Sequence, residues 1–176
     1  TLDSIKNQSF NDYEIIVIYD DEDKKDLTHL KKLLKINKKI RLIINKKNIG
    51  AGFSRNKGAN VAHGKYLAFI DSDDLWKKHK LKYQLNFMIK NKINISHTKY
   101  LIINKDNKII SKRPVNKTIN HSQLLNSCDI GLSTVIIKKD LFLKYKFSSN
   151  RTKEDYSLWL RLSRKYTIYG YNRALT

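Results

Sequence analysis

Two periodicities alternate along the first half of this chain. From Leu2 to Phe10 the apolar residues Leu2 and Ile5 share one side, as in an amphipathic helix. "YEIIVIYDD" (Tyr13 to Asp21) is instead a continuous β-branched run that ends on acids, the pattern of a strand covered on both faces. Leu27, Leu30, Leu33 and Leu34 then repeat at helical spacing, which predicts a helix from Asp26 to Ile36. "IRLIIN" (Ile40 to Asn45) predicts a second buried strand, and Gly50 to His63 a loop running into a helix whose Gly58, Ala59 and Ala62 permit close packing on a sheet. "KYLAFID" (Lys65 to Asp71) predicts a third strand, and Leu81, Leu85, Met88 and Ile89 a helix from Trp76 to Asn91. Strands alternating with helices in this way imply βαβ units and an α/β fold with a mostly parallel sheet.

Beyond Asn91 the texture changes. "INISHTKYLIINKDNKIISK" predicts a hairpin turning at Lys105 to Asn107, where Asp and Asn favour reversal. A short helix near Ser122 to Asn126, a strand at Thr134 to Lys138, helices from Asp140 and from Glu154 to Lys165, and a strand at Tyr166 to Tyr171 complete the pattern. One Pro and six Gly punctuate 176 residues, with no linker or repeat, so a single domain is expected.

Charge changes the picture. Lys and Arg number 36 against 16 Asp and Glu, a formal net charge of +20 that favours polyanions: nucleic acid, an anionic lipid surface or a phosphorylated small molecule. The lone Cys128 builds neither a disulfide framework nor a cysteine metal site, which with the absence of a secretory signal pattern or a span of about 20 apolar residues points to the cytoplasm.

Against that basic background, acids gather at strand ends, where open sheets collect ligands. Asp20 and Asp21 follow the first strand; Asp71, Asp73 and Asp74 follow the third. Asp71 and Asp73 flank Ser72 with carboxylates at alternate positions, suited to a hard divalent cation that keeps waters and accepts phosphate oxygens. Asp74 reads as the cap of the helix starting near Trp76. Gly50 and Gly52 precede a helix carrying Arg55; turn chemistry accounts for both glycines, since neither the dinucleotide nor the P-loop spacing is present. Glu154 and Asp155 open an apolar helix, with Thr152 and Asp155 at capping-box spacing, and the alternative for Asp155 is a general base. The five histidines are scattered without metal-ligand spacing.

"SIKNQSFNDYEIIVIYDD", "NIGAGFSRNKGANVAHGKYLAFIDSDDLW" and "KEDYSLWLRL" resemble, in order and separation, the family 2 nucleotide-sugar glycosyltransferases. The resemblance implies a GT-A fold, a Rossmann-like sheet flanked by helices with a smaller mixed or antiparallel acceptor-side region. Residues 1–92 would bind the nucleotide sugar, and residues 93–176 the acceptor and catalytic base. It implies inverting transfer of a sugar from a nucleoside-diphosphate sugar to a hydroxyl acceptor. On this resemblance Asp73 is the metal ligand for Mg²⁺ or Mn²⁺, Asp71 helps hold the metal and lies nearer the ribose, and Ser72 lines the donor. Asp20 or Asp21 meets the base, Arg55 the nucleotide, and Glu154 with Asp155 form the catalytic pair, Asp155 being the base.

The family's first strand has no counterpart and the chain stops at "YNRALT", where members commonly continue, so a fragment trimmed at both ends is expected; position 19 is Tyr where many members carry an acid, which leaves Asp20 and Asp21 as alternatives at the base. A glycan or lipid-linked acceptor and peripheral contact with an anionic bacterial inner membrane are further implications. No nucleic-acid partner is expected. Two rivals are a haloacid dehalogenase-type phosphatase, which also follows a strand with D-x-D, and a basic nucleic-acid-binding domain. The first expects Thr or Val where Asp74 and Leu75 stand, and the second lacks a stacking or groove-reading motif.

Overall fold

The computed structural model of the chain describes residues 1–34 and 39–176. Helix α1 (Leu2–Lys6) leads into strand β1 (Ile15–Tyr19), helix α2 (Leu27–Leu34) and strand β2 (Ile40–Ile44). The Ile36 end expected for α2 lies outside the described residues. Helix α3 (Ala51–Val61), strand β3 (Tyr66–Ala68) and helix α4 (Lys80–Lys90) follow. Strands β4 (Ile95–Ile103) and β5 (Ile109–Arg113) form the expected hairpin, with Asn107 in the left-handed region at its turn. A short strand β6 (Thr118–Ile119) and helix α5 (His121–Asn126) come next, then a 3₁₀ turn (Leu132–Thr134), strand β7 (Ile136–Lys138), helices α6 (Lys139–Tyr145) and α7 (Glu154–Ser163), and strand β8 (Ile168–Ala174).

The α/β class read from the sequence holds. β1 and β2 pair in parallel, Ile15 opposite Ile40, as a βαβ unit requires. A second sheet runs β3-β7-β4-β8-β6, with β5 added to β4. There β4 and β8 are parallel, while β7 enters antiparallel to both β3 and β4, and β6 antiparallel to β8. Strand β3 of the first half is thus tied into strands of the second half, and antiparallel ladders extend as far as β3.

Helix α4 starts later than its apolar pattern suggests, because long-range partners occupy the backbone before it. The Trp76 amide donates to Ser4 Oγ and the Lys77 amide to the Leu175 carbonyl, while the Lys78 carbonyl accepts from the Ser9 amide. The N-cap of α4 is His79, so Asp74 does not cap it. The Asp74 amide instead closes a turn onto the Asp71 carbonyl, and its own carbonyl accepts from Thr1 Oγ1. Strand β6 and the 3₁₀ turn are both too short to leave a periodic signal in the sequence.

Two apolar clusters hold the layers. One gathers Trp159, Leu158 and Leu162 of α7 with Phe142, Ile95, Ile137 and Ile168; the other joins Ile5, Ile15, Trp76, Leu81, Met88 and Ile136. Each such side chain contributes about 1.5–3 kcal/mol on burial. Between α4 and the sheet lies one charged exception. Lys80 is fully buried, and its Nζ donates to Gln84 Oε1 at 2.7 Å and to the Thr134 carbonyl at 3.1 Å, 5.2 Å from the Trp76 ring centroid.

Burial pushes the Lys80 ammonium down to about 7 from the ordinary 10.5. Between those values the unfolded chain holds a proton that the folded chain has released, so this group's contribution to stability rises with pH across that window. The gain in melting temperature of Lys80→Met over the wild type is therefore expected to be larger at pH 6.5 than at pH 9.5. Equal differences at both pH values would show that Lys80 does not titrate in the folded protein.

Candidate active site

Helix α3 organises the candidate site, and its sequence explains why it can. Gly50, at φ 85°, makes the turn before the helix, in a region other residues rarely adopt. Gly52 does not share that turn role: it lies inside α3, and a Cβ there would meet Glu154 Cγ at 3.1 Å, Phe147 Cβ at 3.2 Å and the Ser148 carbonyl at 3.3 Å. Its missing side chain lets α3 settle against the segment leading into α7. Three and four residues on, Arg55 and Asn56 lie on the same face of the helix. The Asn56 amide group exchanges two hydrogen bonds with the Phe147 backbone, both at 2.9 Å.

Arg55 joins the two acidic clusters. Its Nη2 donates to Asp71 Oδ1 at 2.7 Å and its Nη1 to Glu154 Oε1 at 2.6 Å. The Glu154 side chain is 12% exposed, Arg55 20% and Asp71 39%, so the Glu154 end of the pair is the more desolvated. The Asp71 amide donates to Ser133 Oγ at 2.9 Å, which fixes the strand end against the 3₁₀ turn.

Asp73 is exposed and makes no hydrogen bond or ion pair among the described residues, which leaves its carboxylate available to a ligand. Among the described residues no group of three His, Cys, Asp or Glu could by itself hold a metal ion. The donor set still fits a hard cation that takes most of its oxygens from phosphate and water, with Asp73 and the second oxygen of Asp71 as protein ligands. Ser72 is exposed beside them, its carbonyl accepting from Thr1 Oγ1 at 2.6 Å.

Asp155 sits beside Glu154 in a different environment. Its Oδ1 accepts from the Tyr156 amide at 2.7 Å, and burial, reinforced by the Glu154 charge, raises its proton affinity above the usual carboxylate range. The capping box expected between Thr152 and Asp155 does not form: the N-cap is Lys153, in a left-handed conformation and without a side-chain capping bond.

Asp20 and Asp21 part company. Asp20 Oδ1 accepts from Asn45 Nδ2 at 2.7 Å and from the Ile49 amide at 3.0 Å, which ties the end of β1 to the loop before α3. Asp21 faces outward, its Oδ1 closing a turn with the Asp23 amide. Asn45 also donates to Ser54 Oγ and accepts from Lys57 Nζ. Asp20 makes no direct bond to Asp71; adjacent residues of α3, Ser54 and Arg55, reach the two acids' surroundings. Sequence reasoning missed Asn45, Asn56 and Ser133, single polar residues whose partners lie far along the chain and which carry no spacing signal.

The fold and this arrangement of acids define the class: an α/β transferase domain of the GT-A type. Residues 1–148 match the Glycosyl transferase family 2 model, and the chain belongs to that family. It is 34% identical over 172 residues to an Escherichia coli protein, "UDP-Glc:alpha-D-GlcNAc-diphosphoundecaprenol beta-1,3-glucosyltransferase WfgD", covering 98% of this chain and 66% of that one. It is 33% identical over 177 residues to the "Putative teichuronic acid biosynthesis glycosyltransferase TuaG" of Bacillus subtilis, covering 99% of this chain and 70% of that one. Staphylococcus aureus TarS residues 1–349 share the fold, with a TM-score of 0.77 at 20% identity over 99% of this chain and 54% of that one. The chain therefore spans about half to two-thirds of these relatives.

The two glycines inside α3 separate tight from ordinary packing. Gly52→Ala is expected to cost about 1–3 kcal/mol by forcing α3 off Phe147 and Glu154. At Gly58 a Cβ would meet Ile18 and Ile16 at an ordinary 3.5–3.6 Å, so Gly58→Ala is expected to be neutral or to stabilise by up to about 1 kcal/mol. Urea denaturation of both variants measures the contrast; equal effects would remove the close-approach account of Gly52.

Proposed function

We propose that this chain transfers a sugar, with inversion, from a nucleoside-diphosphate sugar to a hydroxyl of a glycan or lipid-linked acceptor, in the synthesis of a bacterial surface polysaccharide. The observation that carries the proposal is the Arg55 bridge, which draws acids 16 and 99 residues away in sequence onto one guanidinium. Membership in family 2 supports the reaction class. The E. coli relative's name, which pairs a UDP-glucose donor with a diphosphoundecaprenol-linked acceptor, supports the substrate classes.

In this reading Asp20 meets the nucleotide base from the end of β1, with Asp21 as the outward alternative. Arg55 and Asp71 flank the ribose and diphosphate, with Ser72 beside them. Asp73 and Asp71 hold Mg²⁺ or Mn²⁺, which when bound offsets the negative charge building on the departing diphosphate. Asp155 takes the proton from the acceptor hydroxyl. The acceptor oxygen then forms its bond to the anomeric carbon as the bond from that carbon to the diphosphate oxygen breaks on the opposite face, and nucleoside diphosphate leaves. Glu154, held by Arg55, keeps α7 at the distance from Asp71 that the transfer needs.

Asp73→Asn is expected to lose metal-dependent binding of UDP or GDP, read by calorimetry with and without Mn²⁺. Asp155→Asn is expected to keep that binding and lose about 10²–10⁴-fold in transfer rate. Because burial raises the proton affinity of Asp155, transfer is expected to fall as pH drops, and to do so at a higher pH than an ordinary carboxylate would give. Normal transfer by both variants would remove the assignment.

We further propose that the charge holds the protein against anionic lipid. On the β4–β5 hairpin, Ile109 and Ile110 are 53% and 64% exposed beside Lys108, Lys112 and Arg113. Among the described residues no helix is long and apolar enough to cross a membrane. Sedimentation with phosphatidylglycerol vesicles is expected, and weakened by Ile110→Ser. Equal partition onto phosphatidylcholine vesicles would remove this reading.

A further inference from the structure

His97 of β4 is a buried polar side chain that the candidate site does not use. It is 1% exposed, and neither ring nitrogen has a hydrogen-bond partner. A neutral imidazole carries one donor and one acceptor, and leaving both unmet inside a protein is costly. His97 lies at the floor of a surface depression of about 80 Å³ lined by Pro114, Asn116, Ile119, Gln123, Ser127 and Asp129, of which Ile119 alone is buried.

That cavity is built by a glycine. In the parallel ladder Gly170 of β8 stands opposite His97, and a Cβ at Gly170 would lie 2.0 Å from the Asn116 carbonyl oxygen and 2.3 Å from Val115 Cγ2. No side chain fits there. The strap between β5 and β6 therefore lies directly on β8, fastened by the Gly170 amide donating to the Lys117 carbonyl, and it walls the cavity beside His97.

The lining chooses the ligand. In a chain of net charge +20, this cavity has no Lys or Arg and one acid, so it does not suit phosphate. Asn116, Gln123, Ser127 and neutral His97 each donate and accept, the mixture that a hydroxyl group satisfies. Burial depresses the His97 imidazole to about 4, so it is neutral at physiological pH. The volume admits about two or three waters, or one hydroxyl-bearing arm of a sugar.

The segment that lines the cavity is tied to the helix carrying the proposed base. Cys128, between the lining residues Ser127 and Asp129, lies within the electrostatic reach of Asp155. Tyr156, next to Asp155, donates its hydroxyl to the carbonyl of Leu124, the neighbour of Gln123, at 2.6 Å. We propose that the His97 cavity is an acceptor subsite, which takes a neutral hydroxyl-bearing arm of the acceptor glycan and hydrogen-bonds it to the His97 ring. The proposal rests on sugar transfer as the reading of the neighbouring site.

The test uses the 176-residue chain labelled with ¹⁵N in its histidine rings. Glucose, N-acetylglucosamine and their methyl glycosides are titrated while the ring nitrogens are followed by NMR, with UDP and GDP plus Mn²⁺ titrated separately. Saturable shifts of the His97 nitrogens with at least one sugar are expected. Ser127→Val is expected to weaken that sugar about tenfold; its backbone at position 127 is extended, which Val accepts, and its melting temperature checks the fold. His97 signals that no sugar moves, in a sample that binds nucleotide, would overturn the subsite, reduce the cavity to a water site and leave the transferase reading standing. Shifts with sugar but no nucleotide binding would sink the transferase reading and with it the acceptor role, leaving a sugar-binding cavity. Sugar affinity unchanged in Ser127→Val would also overturn the proposal.

Discussion

The arrangement of this protein around its candidate site depends on one planar cation. Arg55 presents two nitrogens to two carboxylates on different elements, and a guanidinium can do this because its donors are fixed in a rigid fork. A lysine in its place would offer a single charged point that could not hold both acids in defined directions. The bridge sets the spacing between the end of β3 and the start of α7, and each end is secured separately. Ser133 anchors the Asp71 backbone, while Asn56 and the bare Cα of Gly52 hold α3 against the approach to α7.

The 3₁₀ turn behind that site is the junction between its two charged layers. Ser133 Oγ receives the Asp71 amide and its carbonyl receives the Trp76 indole, while the next carbonyl, Thr134, receives both Lys80 and Gln84. The strand end that displays the acids is thus backed by a buried polar network rather than by apolar packing alone. A network whose members all have partners is directional, so it can hold a loop in one conformation where a greasy contact would permit sliding. The exposed carboxylate of Asp73 rests on that fixed base.

Much of the fold was legible because long apolar runs and helical repeats report burial directly: β1, β2, α3, the β4–β5 hairpin and α7 all fall where the periodicity puts them. Misreadings arose where tertiary hydrogen bonds overrode local preference. Trp76 to Lys78 carry a helix-compatible pattern, yet their backbone is claimed by Ser4, Leu175 and Ser9. Asp74 and Thr152 are good capping residues by type and spacing, but the helices they were to cap start elsewhere or cap differently. Acids at strand ends were visible as a chemical anomaly in a basic chain. Their connection through Arg55 was not, because nothing in a linear sequence marks which of 36 cations will fold between them.

The bridge also separates two neighbouring carboxylates that the sequence presents as equivalents. Glu154 is engaged by Arg55 in a direct ion pair, which Asp155 lacks. Asp155 accepts one backbone hydrogen bond and is otherwise held in a poorly solvated pocket, where burial favours its protonated form. A carboxylate that gives up its proton reluctantly in isolation is also one that takes a proton more readily from an acceptor hydroxyl. The proposed division of labour between an anchored Glu154 and a proton-accepting Asp155 therefore follows from burial and from which of the two the guanidinium reaches, and moving Arg55 by one turn of α3 would erase it.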